Sequence, residues 1–216
     1  MNGCSHLLPQ NSSYYNIPDP VIYICLLYYY MNDEWDEQAI GDKLELKERT
    51  IKIKKFGKNM RRNYDIYYQT AYLKRICSKN GIYKWKFKIL SWSNRINSNW
   101  NFIIGIWKIG SSDKRTMGDI FATKKENSYA FVSSASYLVD PKKTGWYLKS
   151  KKYGFKCNEG DIIEMILDLN EATLEYTVNN KKCGIAFKVS KQYDYMAAVS
   201  LYTGTNSSTG TAIELL

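Results

Sequence analysis

Histidine is nearly absent from this chain. Its 216 residues include a single histidine, His6, which we expect to lie too close to the first residue for the fold to hold it. Serine and cysteine hydrolases need a positioned imidazole base, and catalytic zinc sites commonly take histidine ligands. The shortage therefore argues against most hydrolase and zinc-enzyme classes. We expect no catalytic residues, no metal and no cofactor.

The cysteines form no recognisable pattern. There are five, an odd number, and no two are spaced as C-x-x-C. Such scattered cysteines are typical of free or buried thiols in a reducing compartment rather than of a disulfide framework or a zinc site. They are Cys4, Cys25, Cys77, Cys157 and Cys183.

Long hydrophobic runs are missing as well. The longest candidate, residues 21–31, is much shorter than the roughly 18 to 20 apolar residues that a membrane-spanning helix needs. No Lys or Arg precedes it, unlike the charged start of a signal peptide. We therefore expect no membrane span and a cytoplasmic location, with the nucleus as the alternative.

Basic residues are missing from the first 40 positions, which contain five carboxylates and no Lys or Arg. Because the net charge of the whole chain is +10, this segment contributes about −5 and residues 41–216 about +15. We expect the acidic stretch 33–37 to lie against the basic body and to weaken its attraction for acidic partners.

Three regions follow from these patterns. Residues 1–16 are rich in Asn, Ser and Tyr without periodicity and are expected to form a flexible leader. Residues 17–40 form an extension that contains the acidic stretch, and an Asp-Pro start with helical apolar spacing predicts a short helix over 20–31. Residues 41–216 form the main domain.

The stretch 160–187 carries the clearest pattern of the main domain. Apolar residues recur at every second position over 163–169 and again over 174–178. Turn signals separate these runs at 170–173 and 179–182, where Asn tolerates the positive φ of a tight hairpin. The pattern predicts an antiparallel meander.

Other parts of the main domain also read as strands. Residues 83–89 alternate four large apolar residues with three lysines, which predicts a strand with one buried and one solvated face. Residues 101–109 lack such alternation, which predicts a central strand covered on both sides. Further strands are expected at 44–47, 50–55, 69–73, 128–132, 145–148, 184–189, 195–201 and 211–216. So many short strands predict an all-β fold, an antiparallel two-sheet β-sandwich, with a short N-terminal helix as the exception.

Several short motifs of the main domain stand out. They are Tyr83 to Phe87, Trp100, Ile104 to Ile106, Gly160-Asp161, Leu167-Asp168, Thr173-Leu174, Val178-Asn179, Gly184 to Phe187 and Ala197 to Tyr202. In order and spacing these motifs resemble those of the SPRY domain family, and the likeness covers roughly residues 44–216. In two places the chain departs from the family pattern, since Glu164 and Asn180 stand where many members have glycine.

The resemblance implies a concanavalin-like jelly roll whose loops, gathered at one end, recognise a short peptide or a protein surface. It also implies a non-catalytic role, such as ubiquitin-ligase substrate adaptor or signalling scaffold. The loop 91–99 would offer a Trp and an Arg, residue types that often dominate binding, and the loop 111–119 would add two cations. The candidate residues are Trp92, Arg95, Lys114, Arg115, Tyr202, Thr203 and Gly204.

A cluster of cations next to tyrosines suggests an alternative function. A basic patch with aromatic residues can hold a phosphate backbone and stack bases, so nucleic-acid or anionic-ligand binding stays open. The excess of lysine over arginine and the inward position of most aromatics favour an acidic protein or a phospholipid as the partner of this surface instead, and we expect a monomer. The cluster is Lys54, Lys55, Lys58, Arg61 and Arg62.

Four carboxylates, Asp161, Glu164, Asp168 and Glu171, lie close together in sequence. Paired carboxylates can act as general acid and base. Their places at turns and strand ends favour a structural role, and Glu164 is expected to face solvent or to find a cationic partner.

Overall fold

The structure is a computed structural model. It describes residues 33–54, 68–78, 80–91, 102–109, 128–132, 136–139, 151–202 and 211–216. The predicted leader, the predicted helix over 20–31 and the predicted strand over 145–148 lie outside these ranges. None of the described residues forms a helix of the length and apolarity that a membrane crossing needs.

The described part of the chain folds into two antiparallel sheets, which confirms the predicted all-β sandwich. The strands are β1 (Trp35–Ile40), β2 (Leu44–Lys47), β3 (Thr50–Ile53), β4 (Tyr68–Cys77), β5 (Ile82–Ser91), β6 (Phe102–Ile109), β7 (Ser128–Val132), β8 (Tyr137–Val139), β9 (Ile162–Asp168), β10 (Thr173–Val178), β11 (Lys181–Lys188), β12 (Asp194–Tyr202) and β13 (Ala212–Leu215). One sheet has the order β1-β4-β12-β6-β7-β8, and the other has the order β11-β10-β9-β5-β13-β3-β2.

Strand β5 shows how the core forms from an alternating sequence. Trp85 and Phe87 are buried, whereas Lys84 and Lys86 between and beside them are exposed. The buried residues join one apolar cluster with residues of the other sheet. The predicted strand with one wet face is therefore confirmed, and burial of its large side chains is the main stabilising term between the sheets.

Strand β6 is central, and its first six residues are buried on both faces, as the lack of alternation over 101–109 predicts. It pairs with β12 on one side and β7 on the other. Its Gly105 lies opposite Ala130, and a Cβ built there would stand 2.1 Å from the carbonyl oxygen of Tyr129. The backbones approach so closely that only glycine fits.

The meander predicted over 160–187 is confirmed as β9, β10 and β11. Asn179 and Asn180 have φ of 49° and 63°, so the second turn uses the left-handed conformation that asparagine tolerates. In the first turn the left-handed residue is Ala172, at φ 55°, rather than an asparagine. The carboxylate of Asp168 stabilises that turn, because it accepts hydrogen bonds from the backbone N–H groups of Asn170 and Glu171 at 2.8 and 3.0 Å.

Strand β1 occupies residues that the sequence pattern placed in the N-terminal extension. It pairs with β4, but the register shifts between Trp35 and Ile40, so a regular two-residue period is missing. Beside it the acidic stretch contacts the basic body, as expected, through a salt bridge of 2.8 Å between Glu34 and Lys74. The sandwich therefore includes strand residues before position 41.

The connections between the sheets define two ends of the sandwich. Strand β4 leads into β5 across residues 78–81, and β11 leads into β12 across 189–193. Strand β1 leads into β2 across 41–43, at the opposite end. We call the end with 41–43 the loop end and the opposite one the far end. Antiparallel pairing then places the ends of β3, β5 and β12 and the starts of β4, β6 and β13 at the loop end.

Candidate functional site

Tyr202 is the predicted partner-contacting residue that the structure describes, and it lies at the loop end. It is the last residue of β12 and is paired with Tyr68, the first residue of β4. The two rings meet edge to face, with centroids 5.2 Å apart. Tyr202 is partly exposed. Its ring therefore packs on the sandwich while part of its surface stays exposed.

Two of the predicted binding segments attach next to this tyrosine pair. Leu201, beside Tyr202, is paired with Phe102, where segment 92–101 rejoins the sandwich. Segment 203–210 leaves directly from Tyr202 and returns at β13. Because these strand ends lie side by side, the topology brings both segments to one end, as a β-sandwich binder requires.

The third predicted segment attaches elsewhere. Residues 110–127 leave β6 at Ile109 and return to β7 at Ser128. Ile109 is paired with Asp194, the first residue of β12, so this segment begins and ends at the far end. The three segments therefore do not share one end of the sandwich. Segment 92–101 precedes β6 and segment 110–127 follows it, so the two are attached at opposite ends of one strand, as the strand predicted over 101–109 already implies.

Most of the predicted site residues lie outside the described ranges. This holds for all the partner-contacting candidates other than Tyr202 and for all of the basic cluster other than Lys54. They are Trp92, Arg95, Lys114, Arg115, Thr203, Gly204, Lys55, Lys58, Arg61 and Arg62.

Lys54 follows β3 at the loop end, in surroundings that are more acidic than the sequence cluster suggests. Its ammonium donates a hydrogen bond of 2.7 Å to the backbone carbonyl of Asp42. A cavity of about 570 Å³ opens beside it, with Leu44 and Leu46 among its apolar lining. The carboxylates of that cavity come from Glu37, Asp42, Glu45 and Glu48. Among the described residues, the start of the predicted basic cluster therefore faces negative charge, which does not favour a nucleic-acid backbone there.

Two of the clustered carboxylates of the meander, Asp161 and Asp168, have a structural role, because they accept hydrogen bonds from backbone N–H groups. Asp161 accepts hydrogen bonds of 2.7 Å from the Asn158 N–H and from the Asn179 side chain. Glu164 faces the cross-strand neighbour Lys86, with 3.8 Å between its Oε1 and the ammonium nitrogen. The predicted need of Glu164 for solvent or a partner is met in this way. No grouping of three or more metal-ligating side chains occurs among the described residues.

The cysteines within the described ranges form no disulfide, and two of them are buried. Cys77 and Cys157 lie in the core, and Cys183 is partly exposed on β11. Burial raises the pKa of the Cys157 and Cys183 thiols above the ordinary value. Both therefore stay protonated at neutral pH, and a protonated thiol is a poor nucleophile.

Tyr153 is a residue of structural importance that the sequence pattern does not reveal. Its hydroxyl donates to the carbonyl of Gly184 at 2.5 Å and accepts from the N–H of Tyr176 at 3.2 Å. Burial raises the pKa of this hydroxyl far above its usual value. It bridges β10 and β11 from a segment far away in the sequence.

The strand order and pairing together define a two-sheet antiparallel β-sandwich. The sequence profile of the SPRY domain matches residues 83–213, more than half of the chain. The chain belongs to the SPRY domain family. SPRY domains are generally protein-interaction modules that bind protein partners.

Solved SPRY domains share the fold at low sequence identity. The SPRY domain of human HERC1 is 16% identical, with a TM-score of 0.57 over 84% of this chain and 96% of that one. The TRIM65 PSpry domain is 12% identical, with a TM-score of 0.55 over 89% and 98% of the two chains. A further human SPRY domain is 14% identical, with a TM-score of 0.52 over 81% and 94%. No curated protein matches by sequence.

Proposed function

We propose that this chain is a non-catalytic interaction module that recognises a short peptide or a protein surface through its loop end. The observation that supports this most is the register of β12, which brings segments 92–101 and 203–210 to the Tyr202–Tyr68 pair. A rigid sandwich that presents adjacent loops is a common design for specific binding.

The residues that we assign to this contact come from the two adjacent segments. They are Trp92, Arg95, Tyr202, Thr203 and Gly204. Lys114 and Arg115 take second place in the proposal, because their segment is anchored at the far end. The aromatic residues would anchor the partner, and Arg95 would select acidic side chains.

The net charge of +10 supports an acidic partner, since it raises the rate of encounter with a negatively charged protein. Cysteines that form no disulfide within the described ranges support a reducing compartment, and we propose the cytoplasm, with the nucleus as the alternative. A monomeric ubiquitin-ligase substrate adaptor or signalling scaffold is the role that family membership suggests.

Affinity capture from a cell lysate with three versions of the full chain tests this proposal. The Trp92→Ala, Tyr202→Ala double variant should lose a protein that the unchanged chain retains. Tyr193→Ala is the matched control, because Tyr193 is an exposed tyrosine in the connection 189–193 at the far end. Thermal unfolding checks that all three versions are folded and compares their unfolding midpoints. Equal retention by a folded double variant would contradict the proposal.

A second comparison tests the alternative of nucleic-acid binding. Reversing the charges of Lys54, Lys55, Arg61 and Arg62 to Glu should weaken protein capture less than the Trp92→Ala, Tyr202→Ala change does if the loop-end aromatics carry recognition, with some loss because the attraction for an acidic partner falls. Binding to a labelled oligonucleotide that falls steeply with salt, and disappears in this variant, would favour the alternative.

A further inference from the structure

Strand β11 is unusual among the described strands because it has no buried residue. It forms one edge of the seven-stranded sheet, and its neighbour among the described strands is β10. Ile185, near its middle, is 51% exposed. An edge strand presents a row of backbone N–H and C=O groups to whatever lies beside it.

A bulge gives this edge a defined shape. Ile185 is paired with Glu175 and Lys182 with Thr177, so β11 has one residue more than β10 between these two pairs. The Tyr153 hydroxyl fills the interruption, because it bonds to both Gly184 and Tyr176. The hydrogen bonds of the Tyr153 hydroxyl therefore hold the edge in place. Pairing with a partner strand would then cost little ordering of β11 itself.

The charge on this edge has one sign. Lys181, Lys182 and Lys188 are all exposed. Among the residues paired directly with β11, Glu175 is the single carboxylate. Lysines on an edge disfavour pairing with a second copy of a basic chain. The same lysines favour a strand that carries carboxylates.

We propose that an extended acidic segment of a partner protein pairs with the free edge of β11. Its carboxylates would lie beside the three lysines, and an aliphatic side chain would contact Ile185. This is strand addition, in which backbone hydrogen bonds supply affinity and alternate side chains supply specificity. This surface differs from the one around Tyr202, because β11 is an edge strand of the other sheet, although its first residues, Lys181 and Lys182, lie at the loop end. The proposal does not depend on the function proposed for the loop end.

A synthetic probe tests this without knowledge of the natural partner. The probe is a fluorescein-labelled peptide of about eight alternating glutamates and valines, long enough to span a strand, followed by fluorescence anisotropy at low salt. The Lys181→Glu, Lys182→Glu variant should bind it at least about tenfold more weakly. The control is Lys47→Glu, Lys84→Glu, which changes the charge equally on other strands and should bind within about twofold of the unchanged chain. Equal weakening by both variants would overturn the proposal.

N-methylation of the peptide separates strand pairing from simple charge attraction. Methyl groups on every second amide block one edge of a strand but keep its charge, so one of the two alternating patterns should abolish binding. If both methylated peptides bind like the parent peptide, pairing is excluded and the proposal fails. Dimerisation that is lost in the Lys181→Glu, Lys182→Glu variant would also overturn it, because a second copy would then be the occupant.

The loop-end variant keeps the two proposals apart. Trp92→Ala, Tyr202→Ala should bind the acidic peptide as tightly as the unchanged chain. If this double variant no longer binds the peptide, the binding site lies at the surface around Trp92 and Tyr202, and the assignment to β11 is wrong.

Discussion

Strands β6 and β11 have the same length of eight residues but opposite surroundings. Six residues of β6 are buried, and it lies between two other strands of its sheet. No residue of β11 is buried, and it lies at an edge. Burial, and with it stability, is therefore concentrated in the middle of the sandwich, whereas the edge strand β11 stays exposed. Substitutions should therefore cost much in β6 and little in β11.

Gly105→Ala in β6 should have the largest effect. The added methyl group would stand 2.1 Å from the Tyr129 carbonyl oxygen and 2.8 Å from the Ala130 Cα, and both of these are backbone atoms. The strands would have to separate, so we expect a loss of at least about 3 kcal/mol in the free energy of unfolding. Denaturant unfolding measures it.

Gly160→Ala is the control, because nothing lies within 4 Å of its Cβ position. Its φ of 85° predicts a conformational cost of about 1 to 2 kcal/mol. If Gly105→Ala costs no more than this control, close packing of β6 is not what the glycine provides.

Tyr153→Phe should have the next largest effect, and it sharpens the comparison at β11. The change leaves the Gly184 carbonyl and the Tyr176 N–H without the hydroxyl that bonds to both. We expect a loss of about 1 to 3 kcal/mol. Amide hydrogen exchange should quicken mainly in β11 and hardly in β6. Uniform quickening in both strands would contradict a local role of the hydroxyl.

The second turn of the meander should respond differently at its two asparagines. Asn179 accepts from the Ile162 N–H at 2.9 Å and donates to Asp161, so Asn179→Gly should cost about 1 kcal/mol. Asn180 also has positive φ, so Asn180→Gly should be neutral or stabilise by a few tenths of a kcal/mol. Thermal unfolding of both variants checks this prediction. It would be contradicted if Asn180→Gly lowered the unfolding midpoint more than Asn179→Gly does.

The Glu34–Lys74 pair beside β1 should have the smallest effect, since exposed ion pairs contribute little. The hydrogen bond from Lys74, and then its charge, lower the pKa of Glu34. The contribution is therefore present at neutral pH and lost as the pH falls through the lowered pKa. The difference in unfolding midpoint between the unchanged chain and Glu34→Gln should shrink on acidification and in high salt. A difference that grows on acidification would contradict the pairing.

The strands with the strongest periodicity could be predicted from the sequence. Strand β5 alternates bulky apolar residues with lysines, and β6 is apolar except for Lys108, so most of their burial pattern followed from their composition. Strand β1 could not be predicted, because its register shift breaks the two-residue period and its middle is acidic. The role of Tyr153 depends on partners 23 and 31 residues away, which leave no local signal.

The candidate site was only partly predictable. The motif order indicated that Tyr202 lies beside a loop, and the structure places it at the end of β12. The attachment of segment 110–127 at the far end could have been predicted, because this segment follows β6 whereas segment 92–101 precedes it, so the two lie at opposite ends of one strand. The carboxylates around Lys54 come from β1, from β2 and from the turns that follow these strands, all of which precede Lys54 in the sequence.

Amide hydrogen exchange of the full chain, alone and with the protein that it captures, tests the central claim most directly. The account predicts slower exchange in segments 92–101 and 203–210 on binding, with β6 unchanged. Slowing confined to the far end, at 110–127 and 189–193, would contradict recognition through the loop end.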